Sequence, residues 1–169
     1  MPRRSFKSQS KAPPAEPAYE AGIRLIARRA HSRAELRRKL VRRGYAASDV
    51  EAAEQRLLAA GYLGDGAFAR GYVRRRSQSL GPLAISAELA ARGVERDLAD
   101  GAMKSLQPAD QLDAATRVAR RLAGDARFAS YRELLHSVGA KLLRRGFSME
   151  IARAACQGVW DGTPEEAGA

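Results

Sequence analysis

The sequence has 169 residues and a formal net charge of +11, from 30 Lys and Arg against 19 Asp and Glu. It contains 34 alanines but only 13 Val, Ile and Thr residues. Because alanine favours helices and β-branched residues favour strands, this composition predicts an all-α protein and argues against a β-sandwich or a doubly wound sheet. The single cysteine, Cys156, excludes an internal disulfide framework and a cysteine-rich zinc site.

The chain is expected to begin with a basic disordered tail over residues 1–17, which is rich in proline, serine and basic residues. This tail precedes no apolar stretch, and no run of about 18 apolar residues occurs anywhere, so we expect a cytoplasmic protein without a membrane partner. The last nine residues, 161–169, are expected to be flexible. The excess of positive charge favours a polyanionic partner, either nucleic acid or an acidic protein surface.

Helix boundaries are marked along the segment between these termini. Three serines are followed by a glutamate three residues later, the pattern of a capping box: Ser32/Glu35, Ser48/Glu51 and Ser130/Glu133. Four glycines follow helical turns, where a left-handed C′ residue is expected: Gly44, Gly61, Gly93 and Gly146. Pro82 suits the first position of a helix.

Three of these glycines are also the reference points of an internal repeat, with spacings of 49 and 53 residues. Counted from Gly44, Gly93 and Gly146, five offsets carry an apolar residue in all three copies. These are −8 (Leu36, Ile85 and Val138), −4 (Leu40, Leu89 and Leu142), +1 (Tyr45, Val94 and Phe147), +9 (Ala53, Ala102 and Ala155) and +13 (Leu57, Leu106 and Val159). The offsets −8 and −4 lie on one face of a helix, and +9 and +13 lie on one face of the next.

Each unit also needs a leading helix, and residues 18–30, 65–79 and 109–123 supply suitable amphipathic patterns. In the second of these, Phe68, Ala69, Tyr72 and Val73 are predicted to face inward. The sequence therefore predicts three tandem three-helix repeats, over residues 18–63, 64–107 and 108–160. Units that bury little surface alone depend on their neighbours, so we expect an elongated, curved array.

No catalytic or cofactor site is predicted. Residues 64–69 match a dinucleotide-binding fingerprint only formally, since a helix, not a strand, is expected before them. His31 and His136 lack a recognisable catalytic partner, and Cys156 is best explained as a core residue. We therefore expect a protein that is not an enzyme and that needs no metal or cofactor.

Clusters of arginine are the strongest functional signal, because like charges four residues apart slightly destabilise an isolated helix. Their recurrence in several units indicates a polyanionic partner. The candidate binding residues are Arg24, Arg28, Arg37, Arg38, Arg42, Arg70, Arg74, Arg75, Arg120, Arg121, Lys141 and Arg144. The basic residues directly before the repeat glycines, Arg43, Arg92 and Arg145, have an alternative structural explanation, since a cation there complements the helix dipole.

The sequence GYLGDGAFARGYVRRR at residues 61–76, followed by Gly81-Pro82 and Arg92-Gly93-Val94, resembles the central repeat of the RecX family. Ser32, Glu35, Leu36, Lys39 and Leu40, with Arg43-Gly44-Tyr45, resemble its first repeat. The resemblance extends over about residues 18–160 and is looser in the third unit, where Leu142, Arg145, Gly146 and Phe147 carry it.

This resemblance implies a regulator of the RecA recombinase, and thus a role in homologous recombination, DNA repair and the SOS response. RecX-like proteins bind in the groove of the RecA–DNA filament, limit its growth, and lower its ATPase and strand-exchange activities. The implied partners are the RecA filament and, weakly and without sequence preference, single- and double-stranded DNA; we expect a monomer.

The alternative is a DNA-binding protein that acts without RecA, either without sequence preference or as a helix-turn-helix transcription factor. The sequence leaves open whether RecA or DNA supplies most of the affinity, and whether inhibition caps the filament or coats its groove.

Overall fold

The structure, a computed structural model, describes residues 15–160, and over this range it is helical and contains no strand. The expected basic tail lies outside the described residues except for its last three, and the expected flexible C-terminus lies outside them entirely. The helices are α1 (Ala18–Arg28), α2 (Arg33–Arg42), α3 (Ala47–Ala59), α4 (Asp65–Arg76), α5 (Pro82–Ala91), α6 (Arg96–Met103), α7 (Pro108–Ala123), α8 and α9 (Met149–Gln157). Helix α8 has three consecutive parts, Tyr131–Leu134, the π-helical turn Leu135–Gly139, and Ala140–Arg144.

These nine helices confirm the prediction of an all-α protein built from tandem three-helix repeats. No helix among residues 15–160 is long and apolar enough to cross a membrane. The described chain forms two compact units. The first unit ends at Gly64 and holds the first repeat, and the second unit begins at Asp65 and holds the second and third repeats.

The repeat columns form the cores. At offsets −8, −4, +1 and +9 all twelve residues are buried, and at +13 Leu57 is buried while Leu106 and Val159 are half-buried. Three separate apolar clusters result, within residues 18–63, 68–106 and 112–160. Because each cluster is separate from the others, we propose domain boundaries after residues 63 and 107.

The repeat glycines reverse the chain as predicted. Gly44, Gly93 and Gly146 have φ angles of 93°, 79° and 81°. In each case the backbone N–H of the next residue donates to the carbonyl oxygen at offset −4, for example Phe147 to Leu142 at 3.3 Å. This bond closes the helix and directs the +1 side chain back into the core. The glycine is needed here because a residue with a Cβ adopts this conformation at a cost.

Two of the three predicted capping boxes are correct at their serine. The Ser32 and Ser130 hydroxyls accept from the backbone N–H groups of Glu35 and Glu133, at 3.1 and 3.2 Å. The prediction at Ser48 is wrong, because α3 begins at Ala47, two residues earlier than a cap at Ser48 requires, with Ala46 at its N-cap. Burial of Tyr45 directly after Gly44 leaves only one residue before the helix, so Ser48 falls inside the first turn. The leading helices α1 and α4 also end two and three residues earlier than expected, at Arg28 and Arg76.

Within the second unit, the start of α5 binds the end of α8. The N–H groups of Gly81 and Leu83 donate to the carbonyl oxygens of Arg145 and Gly146, at 2.8 and 3.2 Å. Free N–H groups at one helix start and free carbonyls at another helix end therefore satisfy each other. A Cβ on Gly81 would lie 2.2 Å from the Gly146 carbonyl oxygen, so the contact requires a glycine.

His31 is buried directly before α2. The carbonyl oxygen of Arg29 accepts from its Nδ1 at 2.8 Å, and its buried Nε2 has no hydrogen-bond partner within residues 15–160. Desolvation by burial lowers the pKa of His31, and the cations Arg29 and Lys39 add to this, against opposing contributions from the Arg29 carbonyl and Glu35. The folded protein therefore binds this proton less readily than the unfolded chain does.

Stability should consequently fall on acidification. With a folded pKa below the unfolded value of about 6.5, the contribution of His31 is full above pH 6.5 and declines as the pH drops towards the folded pKa. We expect the urea midpoint of the first unit to fall as the pH drops below about 6.5, and His31→Gln to flatten this part of the curve. His136→Gln, at an exposed position, is the matched control; equal slopes in the parent and the His31 variant would refute the assignment.

Candidate nucleic-acid interface

The predicted binding residues lie on five helices and are nearly all exposed. Eleven of the twelve side chains are exposed, and Lys141 is half-buried. Helix α1 carries Arg24 and Arg28; α2 carries Arg37, Arg38 and Arg42; α4 carries Arg70, Arg74 and Arg75; α7 carries Arg120 and Arg121; and α8 carries Lys141 and Arg144. The inward face predicted for α4 is confirmed, since Phe68, Ala69, Tyr72 and Val73 are all buried.

Two of these residues are engaged in ion pairs within the first unit. Arg24 pairs with Glu16, and Arg37 pairs with Glu54. The other ten, distributed over all three repeats, form no ion pair among residues 15–160. An external anion can therefore bind these cationic groups without breaking an ion pair among the described residues.

Glu54 is a buried carboxylate that joins α3 to α2. Its two oxygens accept from Arg33 Nε at 2.8 Å, and from Arg37 Nε and Nη2 at 3.0 and 2.8 Å. The Glu54 side chain is only 5% exposed, whereas those of Arg33 and Arg37 are 44% and 56% exposed. Because a buried charge needs compensation, Arg37 has a structural role in addition to any binding role.

Glu54→Gln should therefore destabilise the first unit by about 1–2 kcal/mol, since it removes a charged acceptor whose partners are half-exposed. Circular dichroism in a urea titration measures this loss. Glu51→Gln, at an exposed position on the same helix, is the matched control and should have little effect. Equal stability of the two variants would show that the Glu54 pairs contribute nothing.

A second acidic group fixes α4 to α5. Glu88 accepts from the Tyr72 hydroxyl at 2.6 Å and from Arg76 Nε and Nη2 at 2.9 and 2.5 Å. These hydrogen bonds, chiefly the one from Arg76, lower the pKa of Glu88, and Glu88 in turn raises the pKa of Arg76. The Arg76 side chain is thereby fixed to Glu88 on α5, whereas its neighbours Arg74 and Arg75 are exposed.

The arginines that precede the repeat glycines differ from one another. The Arg92 guanidinium lies over the Tyr72 ring, 4.8 Å from its centroid, in a cation–π contact. Arg145 Nη1 donates to the Lys141 carbonyl oxygen at 3.3 Å, near the end of α8. Arg145 thus supports the helix-dipole explanation, Arg92 has a structural role of another kind, and Arg43 is exposed.

The sequence also singles out two further titratable residues, Cys156 and His136. Cys156 is buried in the core of the third repeat, as predicted, and burial raises the pKa of its thiol. His136 is exposed on α8. Among residues 15–160, no group of three or more His, Cys, Asp or Glu side chains is placed to hold a metal ion.

Comparison with known proteins agrees with this architecture. Residues 18–57 match the family model of the first three-helix domain of RecX, and residues 65–103 match that of the second. The chain is 38% identical over 141 residues to the regulatory protein RecX of Halorhodospira halophila, covering 83% of this chain and 86% of that protein. It is 36% identical over 145 residues to the regulatory protein RecX of Chromohalobacter salexigens, covering 83% and 91%.

The fold is also similar to a solved structure. The crystal structure of RecX from Lactobacillus salivarius superimposes with a TM-score of 0.73 at 23% identity, covering 84% of this chain and 94% of that one. Three observations lead to one assignment. The chain has three-helix domains in tandem, its sequence matches the models of both the first and the second domain, and it matches its relatives over most of their length. The chain belongs to the RecX family of regulatory proteins.

Proposed function

We propose that this protein regulates the RecA recombinase by binding the RecA–DNA filament, and that it inhibits RecA ATPase activity, filament growth and strand exchange without being an enzyme. Membership of the RecX family supports RecA as the partner. The structural observation that supports filament binding is the set of ten basic side chains without an internal ion pair, which occurs on all three repeats.

The distribution of this charge favours an extended anionic partner. Cations on several helices of separate repeats can contact phosphates or carboxylates at several points, each contact being weak alone. A RecA–DNA filament offers such points repeatedly, on the nucleic acid and on successive protein subunits. A regulator bound across neighbouring subunits would restrain their movement during ATP turnover, which lowers ATPase activity and strand exchange together.

The test of this proposal is the single-stranded DNA-stimulated ATPase activity of the cognate RecA. The purified protein should lower that activity when it is present at well below one molecule per RecA subunit, because blocking a growing filament affects many subunits. An ATPase rate that stays unchanged up to equimolar protein would contradict the proposal.

Direct binding to DNA should be weak, independent of sequence and steeply dependent on salt. Each phosphate that an arginine neutralises releases counterions, so the logarithm of the binding constant should fall linearly with the logarithm of salt concentration. Fluorescence anisotropy on several unrelated oligonucleotides at graded salt measures both properties. A preference of several kcal/mol for one sequence would instead favour the transcription-factor alternative.

A further inference from the structure

A groove of about 510 Å³ lies within the second unit, between α4 of the second repeat and α7 of the third. Arg70 and Arg74 extend from one wall and Arg117 from the other. Asp110 and Asp113, near the start of α7, also line the groove. Charged groups of both signs from two repeats therefore surround one open space.

None of these five side chains forms an ion pair within residues 15–160, and all five are exposed. This differs from Glu54 in the first unit and Glu88 in the second, whose carboxylates bind arginine side chains. Three guanidinium groups and two carboxylates thus remain open to an external partner from a groove with a formal balance of only +1.

The composition of the groove disfavours nucleic acid as its occupant. A nucleic acid strand brings one negative charge with each nucleotide, which the two carboxylates would repel. Single-stranded nucleic acid is generally bound by aromatic rings on which bases stack, and no aromatic residue is found among the described residues lining this groove. A polypeptide, in contrast, can present carboxylates to the arginines and ammonium or guanidinium groups to the aspartates.

We propose that this groove docks a segment of the partner protein that carries both acidic and basic side chains. Arg70, Arg74 and Arg117 receive the acidic side chains of that segment, and Asp110 and Asp113 receive the basic ones. The inference rests on the proposed function in one respect, that the partner is RecA. It assigns the protein contact to this groove and adds Arg117, Asp110 and Asp113 to the binding residues.

The discriminating variant is the double substitution Asp110→Asn and Asp113→Asn, because the two possible occupants predict opposite effects. It removes two negative charges, so it should tighten a nucleic-acid site and weaken a site for a mixed-charge polypeptide. The matched control is Asp97→Asn with Asp125→Asn, which changes the net charge equally at exposed positions of the same unit outside the groove. Thermal unfolding followed by circular dichroism verifies that all variants are folded.

Binding is measured with two probes, cognate RecA assembled on oligo(dT) with a non-hydrolysable ATP analogue, and oligo(dT) alone. We expect the groove variant to bind the filament at least about tenfold more weakly than the control, because removing one partner of an interfacial charge pair commonly weakens binding by that factor or more. Its binding to oligo(dT) should equal that of the control. Arg70→Gln with Arg117→Gln should also weaken filament binding.

Two results would overturn the inference. One is filament binding by the groove variant that equals that of the control. The other is tighter binding of the groove variant than of the control to oligo(dT), which would identify the groove as a nucleic-acid site. If the parent protein itself fails to bind the filament, the proposed function fails as well, and this outcome is distinct from failure of the groove variant alone.

Discussion

Replacing Gly146 with alanine should destabilise the second unit by about 2–5 kcal/mol. A left-handed conformation costs an alanine about 1–2 kcal/mol, and overpacking against a neighbour adds about 1–3 kcal/mol. Gly146 has a φ of 81°, and a Cβ there would lie 2.2 Å from the backbone nitrogen of Ala84, at the contact between α8 and α5. Because that neighbour is backbone, it cannot move aside as a flexible side chain would.

Gly44→Ala is the matched control, since Gly44 occupies the same repeat position with a φ of 93° and a Cβ there would meet nothing within 4 Å. Gly44→Ala should lower the free energy of unfolding only by the cost of the left-handed conformation, about 1–2 kcal/mol. Urea unfolding followed by circular dichroism measures both losses, and fluorescence of Trp160 reports the third repeat, where it packs against the core. An equal loss at the two positions would show that the α5–α8 contact does not constrain Gly146.

Reversing the charge of Arg74 and Arg75 to glutamate should sharply reduce inhibition of RecA ATPase activity while leaving the fold intact. The net charge changes by −4 at exposed positions of α4, and the buried stripe of Phe68, Ala69, Tyr72 and Val73 is left unchanged. Surface substitutions of this kind usually change stability by less than about 0.5 kcal/mol. The concentration that halves ATPase activity should rise at least about tenfold, since filament binding loses several favourable charge contacts.

Two comparisons separate this effect from other causes. Arg127→Glu with Arg153→Glu places the same charge change at exposed positions of the same unit outside the candidate set and should inhibit nearly as well as the parent. Tyr72→Ala removes a buried aromatic that also donates to Glu88, so its loss of activity should accompany a loss of stability of about 3–5 kcal/mol. If the α4 double variant is stable and inhibits fully, α4 is not a contact surface.

The fold was largely predictable because its cores follow a local and repeated pattern. Residues at offsets −8, −4 and +1 belong to one helix and its closing turn, so the helix face that they share is set within about ten residues of the glycine. The π-helical turn in α8 was not predictable, since nothing in the repeat pattern marks residues 135–139 as different from the helices α2 and α5.

The candidate site was predictable as a set of cations but not as an arrangement. Sequence shows that Arg37, Arg70 and Arg76 are basic, whereas tertiary packing decides which of them meets a carboxylate. Glu54 lies 17 residues from Arg37, and Glu88 lies 12 residues from Arg76. The groove next to Arg70 similarly depends on how α4 packs near α7, and local periodicity contains no information about that. Signals for such contacts would have to come from charged residues on inward helix positions, such as Glu54.

The most direct test of RecA filament binding is cosedimentation of the protein with three matched samples, namely RecA filaments on single-stranded DNA, the same DNA alone, and RecA alone. We expect the protein to sediment with filaments at salt concentrations that abolish its binding to free DNA, because protein contacts add to the phosphate contacts. Equal salt dependence for filaments and free DNA would contradict it and would leave a DNA-binding protein that acts without RecA.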